Sequence, residues 1–363
     1  MASLDKKIKI GERTIGDGKQ TFVIAEMSGN HGGSIERALD IIRAAKRAGA
    51  DAIKLQTYTA DTITLKSNLE DFVIPKGSPW EEYSTLWDLY NKAFTPWEWH
   101  KKLFLEARGL GIEIFSSPFD ESAVDFLEDL NVSAYKIASP EITHIPLITK
   151  IAQTRKPVII STGIADLSDI NLALSTLKAH GSKDIILLKC STSYPAPIEE
   201  SNLLTIPDMV DKFGCLSGLS DHTKGSLAAI TSVALGATVI EKHFTLDKLA
   251  TTVDSFFSLS EEEFSAMVKD IRLVEKSLGK VNYDITESAK LNLYGRRSIY
   301  VSSKIKKGGI LTKSNIKVVR PSFGLHPKYY TEVLGRFANQ DLSPGERLTW
   351  DVLDDHSNTL NDI

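Results

Sequence analysis

Two histidines follow neighbouring apolar runs of the chain, in the segments LSDHT and EKHFT. Alternate residues of an extended strand share one face, so Ser220 is predicted to share a face with His222. By the same rule, Glu241 shares a face with His243. Because adjacent strands lie about 4.8 Å apart, both imidazoles can reach one point. Two neutral imidazole nitrogens without an obvious third protein ligand favour a labile ion such as Mn²⁺ or Mg²⁺ over a structural zinc. The alternative is a pair of independent hydrogen-bonded histidines.

A second group of residues suits an anion. Two ammonium groups and several hydroxyls would bind a small, multiply charged anion such as a phosphate ester. These residues are Lys54, Lys136, Ser139, Ser161 and Ser220. One alternative is that the lysines form ion pairs with Glu26 and Glu141. Another is a Schiff-base aldolase, with Lys136, Lys189 or Lys242 as the nucleophile.

Glu141 comes just after a predicted strand, in the run SPEI. A carboxylate at this place would suit proton transfer or the positioning of water. The alternative is an acidic residue that stabilises a helix N-terminus.

Short β-branched runs alternate with longer amphipathic stretches over about three quarters of the chain. Eight runs are predicted as strands: TFVIAEM from Thr21, AIKLQTY from Ala52, EIFSSP from Glu113, AYKIAS from Ala134, PVIIST from Pro157, DIILLKCS from Asp184, CLSGLSDH from Cys215 and VIEKHFT from Val239. Several helical patterns between them close on glycine, at Gly49, Gly181, Gly236 and Gly279. Strand–helix alternation indicates a parallel sheet, and eight units predict an α/β fold with a closed (β/α)8 barrel. An open doubly wound sheet is the alternative, although no GxGxxG follows the first strand.

The C-terminal ends of all eight predicted strands are polar, whereas the preceding positions are mostly apolar. Polar side chains are costly inside a barrel unless they are paired, and barrel enzymes have their chemistry at this end. We therefore predict that the strand ends form one site.

The chain is predicted to contain a barrel domain over residues 1–280, a linker over 281–291 and a compact, mainly β domain over 292–356. The short runs SIYVSS and IKVVRP and the turn sequences KKGG and SPGE indicate the second domain. A disordered tail is expected at 357–363. The long segment 59–95 is interpreted as a lid over the site, with a surface insertion as the alternative.

Composition restricts the classes of function. The 363 residues are 42% hydrophobic and 25% charged, and the formal net charge of −4 offers no basic surface to nucleic acid. No apolar run is long enough to cross a membrane, and the first residues are too polar for a signal peptide. Cys190 and Cys215 are predicted as buried thiols at opposite ends of the barrel, too far apart for a disulfide. A cytoplasmic protein without nucleic-acid or membrane partners is expected.

The chain resembles the sialic acid synthase family through IAEMSGNHGG, ADAIKLQTY, IFSSPFD, YKIAS, PVIISTG, LSDHT and VIEKHFTLD. The second domain, with VVRP and GLHPKYYTEVLGR, is similar to the C-terminal antifreeze-like (SAF, β-clip) domain of that family. The resemblance implies a TIM-barrel enzyme that condenses phosphoenolpyruvate with a six-carbon amino sugar, giving a nine-carbon 2-keto acid and phosphate. A carbohydrate- or ice-binding protein led by the SAF domain is the alternative outside enzymes.

The resemblance also implies roles for individual residues. His222 and His243 would bind Mn²⁺ or a similar ion, with Mg²⁺ and Co²⁺ as alternatives. Glu141 would be the acid/base or water-positioning carboxylate, and Glu26 would lie near the sugar and the metal as a second catalytic residue. Phosphoenolpyruvate would lie among Lys54, Lys136, Ser139, Ser161, Ser220 and Thr192, and the sugar among Gln56, Tyr194, Asp254 and Arg320. Arg320 matches an arginine that reaches the site of the other subunit, which implies a domain-swapped homodimer.

Within the family, EMSGNH, TPWEWHKKLF, SSPFDESAVDFLE and RPSFGLHP resemble the pseudaminate branch. That branch implies 2,4-diacetamido-2,4,6-trideoxy-L-altrose as the sugar, with the neuraminate and legionaminate branches as alternatives. Two positions depart from the family pattern. Thr192 stands where an asparagine is frequent, and RPSFG replaces RPGNG beside Arg320, so both contacts are expected to differ.

Overall fold

The computed structural model describes residues 6–250 and 252–354 of the chain. The chain passes from one compact unit to a second at the Gly279–Lys280 peptide. The tail predicted at 357–363 lies outside the described residues.

The first unit contains a closed barrel of eight parallel strands. An antiparallel hairpin of β1 (Lys7–Ile10) and β2 (Arg13–Gly16) precedes it. The barrel strands are β3 (Phe22–Glu26), β4 (Ala52–Thr57), β5 (Glu113–Pro118), β6 (Tyr135–Ile137), β7 (Val158–Ser161), β8 (Ile185–Cys190), β9 (Leu216–Asp221) and β10 (Val239–His243). The prediction of eight strands in a closed barrel is confirmed, and the open doubly wound alternative is wrong.

Helices connect the barrel strands and pack around them. They are α1 (Ile35–Arg47), α2 (Ala60–Ile63), α3 (Leu86–Ala93), α4 (Trp97–Leu110), α5 (Glu121–Asp129), α6 (Ile145–Gln153), α7 (Leu167–Ala179), α8 (Thr205–Phe213), α9 (Leu227–Ala234) and α10 (Glu261–Leu278). Ser34 begins α1, because its side chain accepts a hydrogen bond from the backbone N–H of Arg37. The four predicted glycine ends of helices are confirmed by positive φ at Gly49, Gly181, Gly236 and Gly279.

The barrel interior changes from apolar to polar along the strands. Its apolar part is one buried cluster that includes Phe22, Ala52 and Val239, near the starts of their strands. Polar residues occupy the inner positions at the other ends of the strands, because alternate residues share a face. The sequence therefore directs packing to one end of the barrel and chemistry to the other.

The hairpin that precedes the barrel was not predicted from the sequence. Ile8, Ile10 and Ile15 belong to the apolar cluster inside the barrel, so the hairpin covers its N-terminal end. In KIKI the isoleucines are buried and the lysines are exposed. Burial of an isoleucine side chain stabilises a fold by roughly 1.5–3 kcal/mol, which offsets the ordering of so short a hairpin.

Both cysteines are free and buried, as predicted. Cys190 ends β8 and Cys215 precedes β9, which places them at opposite ends of the parallel barrel. Among the described residues, the helices are too short or too polar to span a membrane.

The second unit is small and mainly β. Its paired strands β11 (Ser298–Val301) and β12 (Ile316–Val319) are antiparallel, and isolated bridges such as Ile305 with Leu342 extend the pairing. Two short helices, α11 (Glu287–Lys290) and α12 (Tyr330–Val333), accompany them, and α11 lies in the predicted linker. Its core is Ile299, Val301, Ile305, Leu311, Ile316, Val333, Ala338, Leu342, Leu348, Val352 and Leu353.

The long segment after β4 contains a loop, residues 73–85, that we call the finger. A bridge between Val73 and Thr85 closes its base. Gly77 allows the turn near its tip, because φ there is +83° and the N–H of Gly77 donates to the side chain of Glu81. Helices α2 and α3 flank the finger.

Candidate active site

A buried charge cluster lies at the polar end of the barrel. Lys54 Nζ is 2.6 Å from Glu26 Oε2 and 3.7 Å from Glu241 Oε1. Lys136 Nζ is 3.9 Å from Glu241 Oε1. The strand register produces the first contact, because Glu26 and Lys54 are partners on β3 and β4. The alternative of ion pairing with the two glutamates holds for Lys54 and Glu26, whereas Lys136 approaches Glu241 rather than Glu141.

The four charges in this cluster shift each other's ionisation. Burial raises the pKa of Glu26 to about 7, although Lys54 opposes the shift. Burial also opposes ionisation of Glu241, but Lys136 and Lys54 outweigh it and lower the pKa of Glu241. For Lys54, burial is outweighed by Glu241 and Glu26, which raise its pKa. Burial lowers the pKa of Lys136. The raised pKa of Glu26 weakens the negative charge beside the two lysines, and this suits an anion.

Hydroxyl groups lie beside the two lysines. Lys136 Nζ donates to Ser161 Oγ at 2.6 Å, and Ser220 Oγ donates to Glu241 Oε1 at 3.1 Å. These contacts place two of the predicted anion-binding hydroxyls next to the charge cluster.

Ser139 and Thr192 meet at Gly163, which the sequence did not single out. The N–H of Gly163 donates to Ser139 Oγ at 3.0 Å. A Cβ on Gly163 would lie 2.0 Å from Thr192 Oγ1, so only glycine fits between these residues. The hydroxyls of Ser139 and Thr192 therefore lie together, at the end of β7.

The two histidines lie side by side at the ends of β9 and β10. Their ring centroids are 5.3 Å apart. His222 Nδ1 donates to the carbonyl of Ser191 at 3.0 Å, which leaves Nε2 as the acceptor nitrogen. His243 Nδ1 is buried and lacks a hydrogen-bond partner among the described residues. Burial lowers the pKa of His243 far below its ordinary value and keeps the ring neutral.

These histidines fit a labile metal ion. Within residues 6–250 and 252–354, His, Cys, Asp and Glu form no group of three or more suited to holding an ion. One partnerless nitrogen and one free acceptor nitrogen can supply two ligands, which leaves the other coordination positions to substrate and water.

Cys190 is a site residue that the sequence did not reveal. Its Sγ lies 3.7 Å from His222 Nδ1. Burial opposes ionisation of the thiol, but the hydrogen bond to His222, the charge of His222, Ser139 and Lys136 together outweigh burial and lower the pKa of Cys190 to about 7. The sequence pointed only to its distance from Cys215, since the contact with His222 depends on the pairing of β8 with β9.

An aromatic group surrounds the histidines. The ring of Tyr194 is 4.5 Å from that of His222, and the ring of Phe257 is 4.6 Å from that of His243. Tyr194 and Phe257 also contact each other, with centroids 5.2 Å apart. The sequence predicted Tyr194 at the site but not Phe257.

The other residues predicted to bind the sugar are divided between the two units. Gln56 Nε2 donates to Glu26 Oε1 at 3.2 Å, and the buried carboxylate of Asp254 accepts a hydrogen bond from Ser28 Oγ. Arg320 follows β12 in the second unit, where it is exposed.

Glu141 lies in a 3-10 turn, Ser139–Thr143, that follows β6. Its Oε2 is buried without a hydrogen-bond partner among the described residues. Burial raises the pKa of Glu141 to about 7. This carboxyl can gain or lose a proton near neutral pH, which is a property of a general acid or base.

Comparison with known proteins shows the family. Residues 41–283 match the NeuB family, and residues 296–354 match the SAF domain. The chain is 48% identical over 330 residues to a pseudaminic acid synthase of Campylobacter jejuni, covering 91% of this chain and 96% of that one. An N,N'-diacetyllegionaminic acid synthase of the same strain is 36% identical over 337 residues, covering 90% and 98%. A crystal structure of N-acetylneuraminic acid (sialic acid) synthetase from Leptospira borgpetersenii, in complex with citrate, has a TM-score of 0.69 at 31% identity over 79% of this chain and 95% of that one. The chain therefore belongs to the NeuB family.

Proposed function

We propose that this enzyme condenses phosphoenolpyruvate with 2,4-diacetamido-2,4,6-trideoxy-L-altrose and water, and that the products are pseudaminic acid and phosphate. The main support is that the chain is more similar to the pseudaminate enzyme than to the legionaminate enzyme of one Campylobacter jejuni strain. The buried lysines, hydroxyls, imidazoles and carboxylates of the barrel suit the reaction class. The neuraminate and legionaminate sugars remain the alternatives.

The anion end of the site would hold phosphoenolpyruvate. Lys54 and Lys136 offer ammonium groups, and Ser139, Ser161, Ser220 and Thr192 offer hydroxyls around them. In the proposed complex these groups orient C3 of phosphoenolpyruvate towards the aldehyde carbon of the open-chain sugar. Positioning of this kind converts a bimolecular step into an effectively unimolecular one.

Glu141 would activate the water that adds in the second half of the reaction. When C3 forms the new carbon–carbon bond, C2 of phosphoenolpyruvate becomes electron-poor. As this bond forms, the electron pair of the sugar carbonyl moves to its oxygen, which takes up a proton and becomes a hydroxyl. The Glu141 carboxylate accepts a proton from the water that adds to C2. The bond between C2 and the phosphate oxygen then breaks, as the added oxygen loses its second proton and becomes the keto oxygen. Glu26, which contacts Lys54 and Gln56, would help to orient the sugar.

A divalent ion is the cofactor we propose, with Mn²⁺ preferred and Mg²⁺ and Co²⁺ as alternatives. His222 and His243 would hold it, and its chemistry there would be Lewis-acid polarisation of the sugar carbonyl. Incubation with a chelator should abolish turnover, and added Mn²⁺ should restore it. Full activity of a His222→Ala, His243→Ala double variant would contradict the metal site.

We also propose a domain-swapped homodimer in the cytoplasm. The exposure of Arg320 leaves its guanidinium free to enter the site of another subunit. The two free thiols suit a reducing compartment.

The Schiff-base aldolase is a second candidate, because burial lowers the pKa of Lys136, Lys189 and Lys242, which favours the nucleophilic neutral amine. Lys242 Nζ is held in an ion pair with Asp221 at 2.8 Å, whereas Lys136 Nζ and Lys189 Nζ each donate to the carbonyl of the following residue. Borohydride in the presence of substrate would trap an imine on one of these lysines, whereas the proposed synthase gives no adduct.

A competition experiment tests the proposed substrate. The protein, Mn²⁺ and phosphoenolpyruvate are mixed with the diacetamido-trideoxy-altrose, its gluco-configured counterpart and N-acetylmannosamine, and products are resolved by chromatography and mass. Consumption of the altrose derivative alone, with release of phosphate, supports the proposal. Consumption of another sugar would assign the enzyme to another branch of the family. The absence of any reaction would contradict the synthase activity.

A further inference from the structure

Trp80 connects the finger to the site. The indole Nε1–H of Trp80 donates to the carbonyl of Val253 at 2.9 Å. Its ring lies 5.4 Å from the ring of Tyr194, centroid to centroid. Tyr194 and Asp254, the neighbour of Val253, are both among the proposed sugar-binding residues. Trp80 therefore connects the finger to two parts of the sugar end of the site.

The indole of Trp80 offers an apolar surface there. Nε1–H is the only hydrogen-bonding group of a tryptophan side chain, and Val253 already accepts from it. The ring of Phe257, which contacts Tyr194, extends the aromatic surface. A sugar hydroxyl placed against the faces of Trp80 and Phe257 would lose its water without gaining a partner from either ring, whereas a methyl group would lose nothing.

We propose that Trp80 is a specificity-determining residue, which favours a sugar with a methyl group at C6 over the same sugar with a hydroxyl there. This inference rests on the proposed function, because the trideoxy sugar has that methyl group. It assigns the finger a part in sugar selection, because the contacts of Trp80 named above are with Tyr194 and with the neighbour of Asp254.

The test compares Trp80→Ala and Trp80→Phe with a matched control, Trp87→Phe. Trp87 belongs to the same segment 59–95, but its Nε1–H donates to Asp61 and Lys66 lies over its ring, and neither of these partners is a proposed site residue. The two substrates are 2,4-diacetamido-2,4,6-trideoxy-L-altrose and its 6-hydroxy counterpart. Steady-state kinetics give kcat/KM for each sugar and the KM for phosphoenolpyruvate, and circular dichroism monitors folding.

We expect Trp80→Ala to lower the preference for the trideoxy sugar by about tenfold, with the KM for phosphoenolpyruvate within about twofold of wild type. Trp80→Phe retains an apolar ring and should keep most of the preference, and Trp87→Phe should keep all of it. An unchanged preference in Trp80→Ala, or an equal loss in the control, overturns the inference. If Trp80→Ala does not fold, Trp80→Gln, which replaces the apolar face by an amide, provides the same comparison.

Failure of the proposed function and failure of the role of Trp80 give different results. A wild-type enzyme that prefers the 6-hydroxy sugar contradicts both the proposed substrate and this inference. A wild-type enzyme that prefers the trideoxy sugar, together with a Trp80→Ala variant that keeps that preference, contradicts only the role of Trp80.

Discussion

At the scale of single residues, two buried carboxyls have unusual ionisation. Burial raises the pKa of both Glu26 and Glu141 to about 7. Glu26 has Lys54 as a partner, whereas Glu141 Oε2 has none among the described residues. An acid that is buried without a partner costs stability, so its presence at the rim of a barrel favours a role in catalysis over one in folding.

Glu141→Gln should change the pH dependence of turnover. As the acceptor of a proton from water, Glu141 is active when ionised, so kcat/KM of the wild type should rise as pH increases through about 7. The variant should have a kcat/KM about 10²–10⁴-fold lower, and its kcat/KM should no longer rise through pH 7. Glu26→Gln is the control, because it leaves the proposed proton acceptor in place. If the rise in kcat/KM near pH 7 persists in Glu141→Gln, another group is responsible for that rise.

The same substitution should stabilise the fold above neutral pH. The ordinary pKa of the glutamate carboxyl is 4.5, and burial raises it to about 7 in the folded protein. The folded state therefore binds the proton more tightly, and its stability falls as pH rises from the first value to the second. Glu141→Gln avoids a loss of up to about 3 kcal/mol at pH 8 and should have no such advantage at pH 4. Urea unfolding at both pH values measures the difference, and equal gains at both would contradict the assignment.

The sequence anticipated most residues of the site but not their partners. Strand ends and residue types were sufficient to place Lys54, Lys136 and both histidines at one rim. The approach of Lys136 to Glu241, and of Cys190 to His222, depends on how neighbouring strands align. Register is a tertiary property, and no local pattern in one strand determines which residue of the next strand it faces.

At the scale of elements, long periodic patterns were predicted correctly and short ones were missed. The barrel strands and glycine helix ends have repeated sequence features, which is why their prediction is confirmed. The first hairpin has two strands of only four residues, and its lysines made the segment look merely polar. The finger lacks any periodic pattern, and its order depends on the bridge from Val73 to Thr85 and on Trp80.

The last two barrel strands are joined by a buried ion pair on their helix-facing side. Lys242 Nζ lies 2.8 Å from Asp221 Oδ2, and the two residues are register partners. Lys242→Met leaves a buried carboxylate without its cation, so we expect a loss of about 3–5 kcal/mol in the free energy of unfolding. Asp221→Leu combined with Lys242→Met removes both charges and should be closer to wild type.

An exposed ion pair provides the control for this prediction. Lys212 pairs with Asp208 on the surface of α8, where both side chains are about half exposed. Lys212→Met should cost less than about 1 kcal/mol. Urea unfolding of the three variants at pH 7 gives the comparison. If Lys242→Met lowers the free energy of unfolding no more than Lys212→Met does, the buried pair does not stabilise the ends of these two strands.

At the scale of the whole molecule, the chain leaves apolar side chains exposed where it passes from the first unit to the second. Val281 is 88% exposed, Tyr283 is 97% exposed and Leu291 is 80% exposed. Exposed apolar groups close together in sequence favour a surface that another chain covers. The proposed swapped homodimer gives these residues a partner and gives Arg320 a site to enter.

Mixed dimers test whether Arg320 acts on the other subunit. One chain has Arg320→Ala, and the other has His222→Ala with His243→Ala, and differently tagged copies are co-expressed and purified through both tags. In a swapped dimer the intact barrel of the first chain receives the intact Arg320 of the second, so one of two sites works. At sugar concentrations below KM, we expect about half of the wild-type rate, whereas each variant alone is nearly inactive. Pairing two barrel variants, Glu141→Gln and His222→Ala, should restore nothing, because no exchange of second units repairs a barrel. A mixed dimer of the first kind that stays inactive would show that Arg320 acts within its own chain or not at all.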